Sequence, residues 1–266
     1  MGGLFWIHAA LFLHSGDTMK RLYQSIACLA ATCLIVAGMS QRIWAAPPNV
    51  VVILADDMGF SDLGCYGSEI ETPNFNRLAY GGLRFTQGYN TARCWPTRGA
   101  LLTGYYAQSI RRDKMPGDPG GNRGGRPDWA RLLPERLEAA GYRSYHSGKW
   151  HVDGEPLEQG FAHSLRIEGG QNDFFDPAGI TVDGKPVEET DQFYVTTAVG
   201  EHAAACLREH AEQHRDKPFF SYVAFTSPHF PLHAPQDIIE KYKARYQAGW
   251  NIVQQDRYWR LVQSGI

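Results

Sequence analysis

The chain has 266 residues, 43% hydrophobic and 20% charged, an ordinary globular composition with length for one good-sized α/β domain. A net charge of −2 and a pI near 6.5 argue against a nucleic-acid partner. No run of like charges suggests a polybasic membrane patch, and no low-complexity segment or internal repeat is evident.

The first 46 residues read as a signal peptide rather than as fold. Met19-Lys20-Arg21 opens a basic region, Ile26 to Met39 is apolar, and Ile43-Trp44-Ala45-Ala46 offers small residues for cleavage. Residues 1–18 read as an over-extended start, with Met19 the initiator. The apolar stretch is shorter than the ~20 residues of a spanning helix, so export, periplasmic or secreted, is expected rather than a stable membrane anchor. Residues 47–266 then form the mature region and keep Cys65, Cys94 and Cys206. An odd count leaves at least one thiol unpaired or modified. A Cys65–Cys206 bridge would leave Cys94 free for chemistry, but the sequence does not establish that bridge.

Asn49 to Ala55 is a continuous apolar, β-branched run that predicts a strand buried on both faces, ending at Asp56-Asp57. Thr72-Pro73 predicts a short helix through Leu78 and Ala79, stopped by Gly81-Gly82. Leu83 to Thr86 alternates like a short strand. Pro96 fits the first position of a helix that closes at Gly104. That puts Cys94 at a helix N-terminus, the end that favours anions, with Arg98 one turn on. Pro116 to Pro127, containing Arg123 and Arg126, reads as a surface loop bordering a site.

A helix from Leu133 to Ala140 stops at Gly141, and Tyr142 to His146 is a strand running into Ser147-Gly148-Lys149-Trp150-His151. A long helix, Val195 to His214, leads to a buried strand, Pro218 to Phe225, which ends at Thr226-Ser227-Pro228-His229. His233 is assigned to the surface. A last helix, Gln236 to Gln247, is expected to bury Ile238, Ile239, Tyr242 and Tyr246.

Strands alternating with helices give an α/β fold whose sheet is mostly parallel, with helices on both faces. Ligands in such sheets bind beyond the carboxyl ends of the strands. Three predicted strands end in polar groups, Asp56-Asp57, Lys149 with His151, and His229, which parallel pairing would bring to one edge. Two adjacent carboxylates repel unless a cation sits between them, and hard divalent cations take such oxygen ligands.

The run Cys94-Trp95-Pro96-Thr97-Arg98 resembles the sulfatase signature Cys-x-Pro-x-Arg. Gly141 to His151 matches the second signature of that family, and Leu54 to Gly59 and Ser227 to Leu232 add to the likeness. Arg93 stands where that family usually has a small or apolar residue, and Trp95 where it has a small one. From Pro48 to Ile266 the chain resembles the N-terminal part of the catalytic domain of an arylsulfatase-type enzyme. The resemblance implies an alkaline-phosphatase-like fold, here truncated.

It also implies a sulfuric ester hydrolase in which a maturation enzyme oxidises Cys94 to formylglycine, whose hydrate is the nucleophile. Asp56, Asp57 and the modified Cys94 would be calcium ligands. Arg98 would hold the hydrate, Lys149 would bind sulfate oxygens, and His229 would contact sulfate and assist the leaving group. His151 would be the base that removes the second hydroxyl proton, expelling sulfate and restoring the aldehyde. The substrate would be a small-molecule or glycan sulfate ester.

No Asp-Asn dipeptide follows Asn49, so the remaining calcium ligands usual in the family are not matched, and the missing strands would leave an unpaired sheet edge. Two alternatives stand beside the sulfatase reading: an inactive remnant that only binds, and a phosphodiester or phosphonate hydrolase of the wider superfamily.

Overall fold

A computed structural model describes residues 19–21, 23–27, 46–114, 125–168, 173–187 and 193–266. Two units divide the chain, Met1–Pro47 and Pro48–Ile266. In the first, residues 19–21 and 23–27 are helical, and most of the apolar and cleavage regions assigned to the leader lie outside the described residues. Among the described residues, no helix is long and apolar enough to cross a membrane.

The second unit is built on one sheet. Its strands are β1 (Val50–Leu54), β2 (Arg143–Lys149), β3 (Phe161–Ile167), β4 (Thr181–Val182), β5 (Lys185–Pro186) and β6 (Phe219–Ala224), in the spatial order β1-β6-β2-β3-β4-β5. The first four in that order pair in parallel, with Val50 opposite Phe220 and Arg143 opposite Phe219, while β4 and β5 are antiparallel. Helices α1 (Pro73–Gly81), α2 (Cys94–Thr103), α3 (Leu133–Glu138), α4 (Val195–Gln213), α5 (Gln236–Tyr246) and α6 (Trp250–Gln263) complete the unit.

Alternation along β6 separates two cores, because successive side chains leave a strand on opposite faces. Phe220, Tyr222 and Ala224 join Leu102 of α2, Trp150 and Phe161 on one face, with Leu133 and Leu137 of α3 packed against them. Val223 joins Val195, Val199 and Ala203 of α4 on the other, together with Leu165 and Ile167. Helices therefore cover both faces, as the sequence predicts. Each buried aliphatic or aromatic side chain contributes roughly 1.5–3 kcal/mol, so these clusters hold the strand ends in place.

Several expectations are corrected. β1 is buried on one face only: Val50, Val52 and Leu54 pack inward, whereas Val51 and Ile53 are 48% and 44% exposed. It lies at the sheet edge, and α4 packs on β2, β3 and β6. Leu83 to Thr86 is not a strand. Among the described residues no strand lies alongside it; Leu83 and Phe85 are exposed, and Arg84 Nη1 instead donates to the Cys65 carbonyl at 2.8 Å. Pro96 is the third helical residue rather than the first, still within the turn whose N–H groups need no intrahelical partner. Cys65, Cys94 and Cys206 are all free thiols.

Helix α5 was expected to bury an apolar stripe, yet Ile238 and Ile239 are exposed. Polar contacts dock it instead. The Tyr246 hydroxyl donates to Glu69 Oε1 at 2.5 Å, and Arg245 donates to the Glu69 carbonyl. From α6, which the sequence reading missed, Arg257 grips the Glu69 carboxylate at 2.6 and 2.7 Å and Asp62 at 2.6 Å. This bidentate arginine pairing holds Glu69 down to about pKa 2, with Tyr246 adding to the effect against burial.

Candidate active site

The parallel strands deliver their carboxyl ends side by side. Phe225 N–H donates to the Leu54 carbonyl at 2.8 Å, and Asp56 N–H donates to the Ser227 carbonyl at 3.1 Å, lacing the loops after β1 and β6 together. Asp56 is buried, and Lys149, the last residue of β2, is 1% exposed and ion-paired to Asp56 Oδ2. Arg98 Nη2 lies 3.2 Å from Asp56 Oδ1. The guanidinium is further fixed by Nη1 donating to the Lys149 carbonyl at 2.9 Å and to the Tyr222 hydroxyl at 3.2 Å.

Two buried cations thus share one carboxylate. Burial tends to raise the Asp56 pKa, but Arg98 and Lys149 outweigh it and hold the carboxyl below the usual range. Arg98 Nε, itself buried, finds no acceptor among the described residues. An unsatisfied guanidinium donor beside surplus positive charge is suited to an oxyanion.

Cys94 opens α2, and Arg93 before it supplies no side-chain cap, so the helix's positive end is available at the thiol. A cavity of about 320 Å³ lies here, lined among others by Asp56, Asp57, Asn90, Cys94, Thr97 and Arg98. Asp57 is exposed and takes a positive φ of 64°, turning its carboxylate to His229 Nε2 at 3.5 Å. His229 lies between two cis peptide bonds, Ser227–Pro228 and Phe230–Pro231.

His151 packs its ring edge to face against Trp95 at 5.5 Å. Burial foremost, then the charges of Lys149 and Arg98, push its pKa down to about 4, so the imidazole is neutral near pH 7.

Asp56, Asp57, Cys94 and Arg98 therefore face one cavity, Lys149 and His229 contact its aspartates, and His151 stands within the field of the buried charges. Tyr222 and Trp95 were not read from the sequence as site residues. Tyr222 lies in an apolar strand and reads as core, and only its alternation with Phe220 would have placed it on the Arg98 side. His233, expected at the surface, is half-buried, with Nδ1 3.3 Å from Asp173 and its ring against Phe174. Arg126, expected to border a site, is half-buried and paired with Asp153 at 3.2 Å; residues 115–124, including Arg123, lie outside the described residues.

The donors available for a metal ion are partial. Asp56 and Asp57 provide hard oxygens of the kind calcium takes, but ~6–8 are usual. Among the described residues, no group of three or more His, Cys, Asp or Glu could hold a metal ion. The fit is one of kind and not of number.

A mostly parallel sheet with helices on both faces, and an oxyanion-suited cavity at its carboxyl edge, define an α/β protein of the alkaline-phosphatase-like class. The chain belongs to the sulfatase family: the Sulfatase profile matches residues 48–264. It is 34% identical to the arylsulfatase of Klebsiella aerogenes, over 90% of this chain and 55% of that one. It is also 34% identical to human arylsulfatase A, over 80% of this chain and 47% of that one.

The solved structure of Ps i-CgsB in complex with k-i-k-neocarrahexaose superposes with a TM-score of 0.66 at 27% identity, covering 82% of this chain and 54% of that one. A structure of BT4656 with its substrate, D-glucosamine-2-N,6-O-disulfate, aligns with a TM-score of 0.58 at 28% identity, over 74% of this chain and 38% of that one. The chain spans about half the length of the relatives it matches.

Proposed function

We propose that this chain carries the sulfate-cleaving centre of an exported arylsulfatase-type hydrolase, with Cys94 matured to formylglycine by a partner enzyme. The observation that carries the reading is the shared cavity: Cys94 and Arg98 face Asp56 and Asp57 across it, and Lys149 is locked to Asp56.

A sulfate ester presents equatorial oxygens that gain negative charge as the bond to the alcohol breaks. Arg98 and Lys149 supply fixed positive charge beside them, held in place by Asp56 and Tyr222 and needing no rearrangement during the reaction. Asp56 and Asp57 would hold calcium together with an oxygen of matured residue 94. When bound, that cation would offset charge on the sulfate oxygens. The hydrated aldehyde of residue 94 would supply the nucleophilic hydroxyl.

His229, close to the rim at Asp57, would protonate the departing alcohol oxygen. His151, neutral at working pH, is free to accept the proton whose removal releases sulfate. The substrate class is a sulfate monoester of an aromatic or sugar alcohol, supported by the arylsulfatase relatives and by the disulfated glucosamine named with one neighbouring structure.

The test is release of inorganic sulfate from a chromogenic aryl sulfate, using exported chain co-produced with a formylglycine-generating enzyme. Turnover that disappears in Cys94→Ala is expected. Equal turnover in the variant contradicts the reading.

A further inference from the structure

Trp95 departs from the small residue usual beside the signature cysteine, and the structure gives its ring specific neighbours. One is His151, in edge contact at 5.5 Å and held at a positive φ of 46°, a conformation that a non-glycine residue rarely adopts. Another is the guanidinium of Arg112, centred 5.0 Å from the Trp95 ring. Arg112 is buried, and its Nε is fixed by Asp153 Oδ1 at 2.9 Å. Asp153 is in turn held by Arg126 at 3.2 Å.

The sequence Arg126, Asp153, Arg112, Trp95, His151 is therefore a continuous run of contacts from the protein body to the His151 imidazole. Among the described residues, neither Trp95 Nε1 nor buried His151 Nδ1 has a hydrogen-bond partner. Ring packing, and not a hydrogen bond to Nδ1, fixes the imidazole on that side.

We infer that Trp95 is a positioning residue for His151: backed by Arg112, it sets the imidazole's orientation and keeps water from it. This inference rests on the proposed role of His151 as the base, since positioning matters only if that ring handles a proton. Trp95 itself contacts the imidazole and does not line the cavity. Backbone strain at His151 persists where surrounding structure enforces it, and the indole packed on its ring adds a restraint on the side chain. An aromatic ring also excludes water from one side of the imidazole, which favours its neutral form.

The test uses the full chain and needs no turnover. Long-range proton–nitrogen NMR of selectively labelled histidine reads the protonation state and tautomer of His151 as a function of pH. Groups that act on this ring besides Trp95 are Lys149, Arg98, Asp56 and His229, and all are retained in the variants.

In wild type, the ring is expected to stay neutral down to about pH 4, against an ordinary value of 6.5. Trp95→Ala is expected to move its midpoint up by more than one pH unit, roughly a tenfold change in proton affinity. Trp95→Phe, which restores a flat ring, is expected to return most of that shift. An unchanged midpoint in a folded Trp95→Ala chain overturns the inference, as does a Trp95→Phe midpoint no lower than that of alanine.

Should the alanine variant fail to fold, Trp95→Met keeps most of the volume without the ring, and an upward shift of at least about half a unit is then required. No shift in that variant is equally fatal. Absence of formylglycine or of turnover would count against the proposed function and leave this readout standing.

Discussion

Arg98 and Lys149 close on opposite oxygens of the Asp56 carboxylate, so one buried anion compensates two buried cations. Removing the anion is far worse than weakening a surface pair, because the cations have nowhere to turn. Asp56→Asn is expected to destabilise the chain by about 3–5 kcal/mol, read as a lower urea midpoint at unchanged slope. A loss under about 1 kcal/mol, the range of an exposed pair, would show that the cations find other partners.

Lys149 lends itself to the opposite experiment. Its removal leaves Arg98 and Asp56 balanced, so Lys149→Met is expected to fold. In an active preparation it should lower turnover by about 10²–10³-fold, the scale of losing one oriented charge donor. Turnover within twofold of wild type would take Lys149 out of the charge-stabilising role.

Gly148 controls how closely β2 approaches β6. Its φ is +117°, and a Cβ there would fall 2.0 Å from the Ala224 carbonyl oxygen, which is backbone and cannot swing away. Gly148→Ala is expected to cost about 3 kcal/mol or more, from overpacking added to strain at an unfavourable φ. Because Lys149 is the next residue, turnover should fall along with thermal stability. A variant as stable as wild type would mean the strands separate freely at this point.

Acid should weaken the fold through buried histidine. His146 is fully buried among Trp150, Phe161 and Tyr222, and burial, followed by nearby His202, pushes its pKa down to about 3 from 6.5. Between those values the unfolded chain carries the proton and the native chain does not, so its contribution is complete above 6.5 and declines as pH falls. The slope is about 1.4 kcal/mol per pH unit. His151 acts in the same direction. His146→Phe should flatten the stability profile by about that slope between roughly pH 6 and pH 4.5. An unaltered slope, measured by denaturant unfolding, would show that His146 is protonated in the native state.

Much of this architecture was legible because apolar runs and glycine or proline stops coincide with element ends. Val50–Leu54, α4 and Phe219–Ala224 lie where their patterns place them, and the polar residues after the strands meet at one edge. What failed depended on context outside the segment. Leu83–Thr86 alternates but, among the described residues, has no neighbouring strand, and Ile238 and Ile239 have helical spacing yet remain exposed. Helix α6 is held largely by Arg257 on Glu69 and Asp62, a pairing about 190 residues away in sequence that no local pattern announces. Tyr222 looks like core from its apolar strand, and only the fold shows that its hydroxyl meets Arg98.

At the centre of the proposal is maturation of the single thiol at the start of α2, Cys94. The direct measurement is the mass of the peptide containing Cys94, taken from exported chain co-produced with a formylglycine-generating enzyme and probed with an aldehyde-reactive hydroxylamine. Loss of the sulfur, with an aldehyde that captures the reagent, is the predicted result. A full-mass peptide still bearing an alkylatable thiol at Cys94 would contradict it.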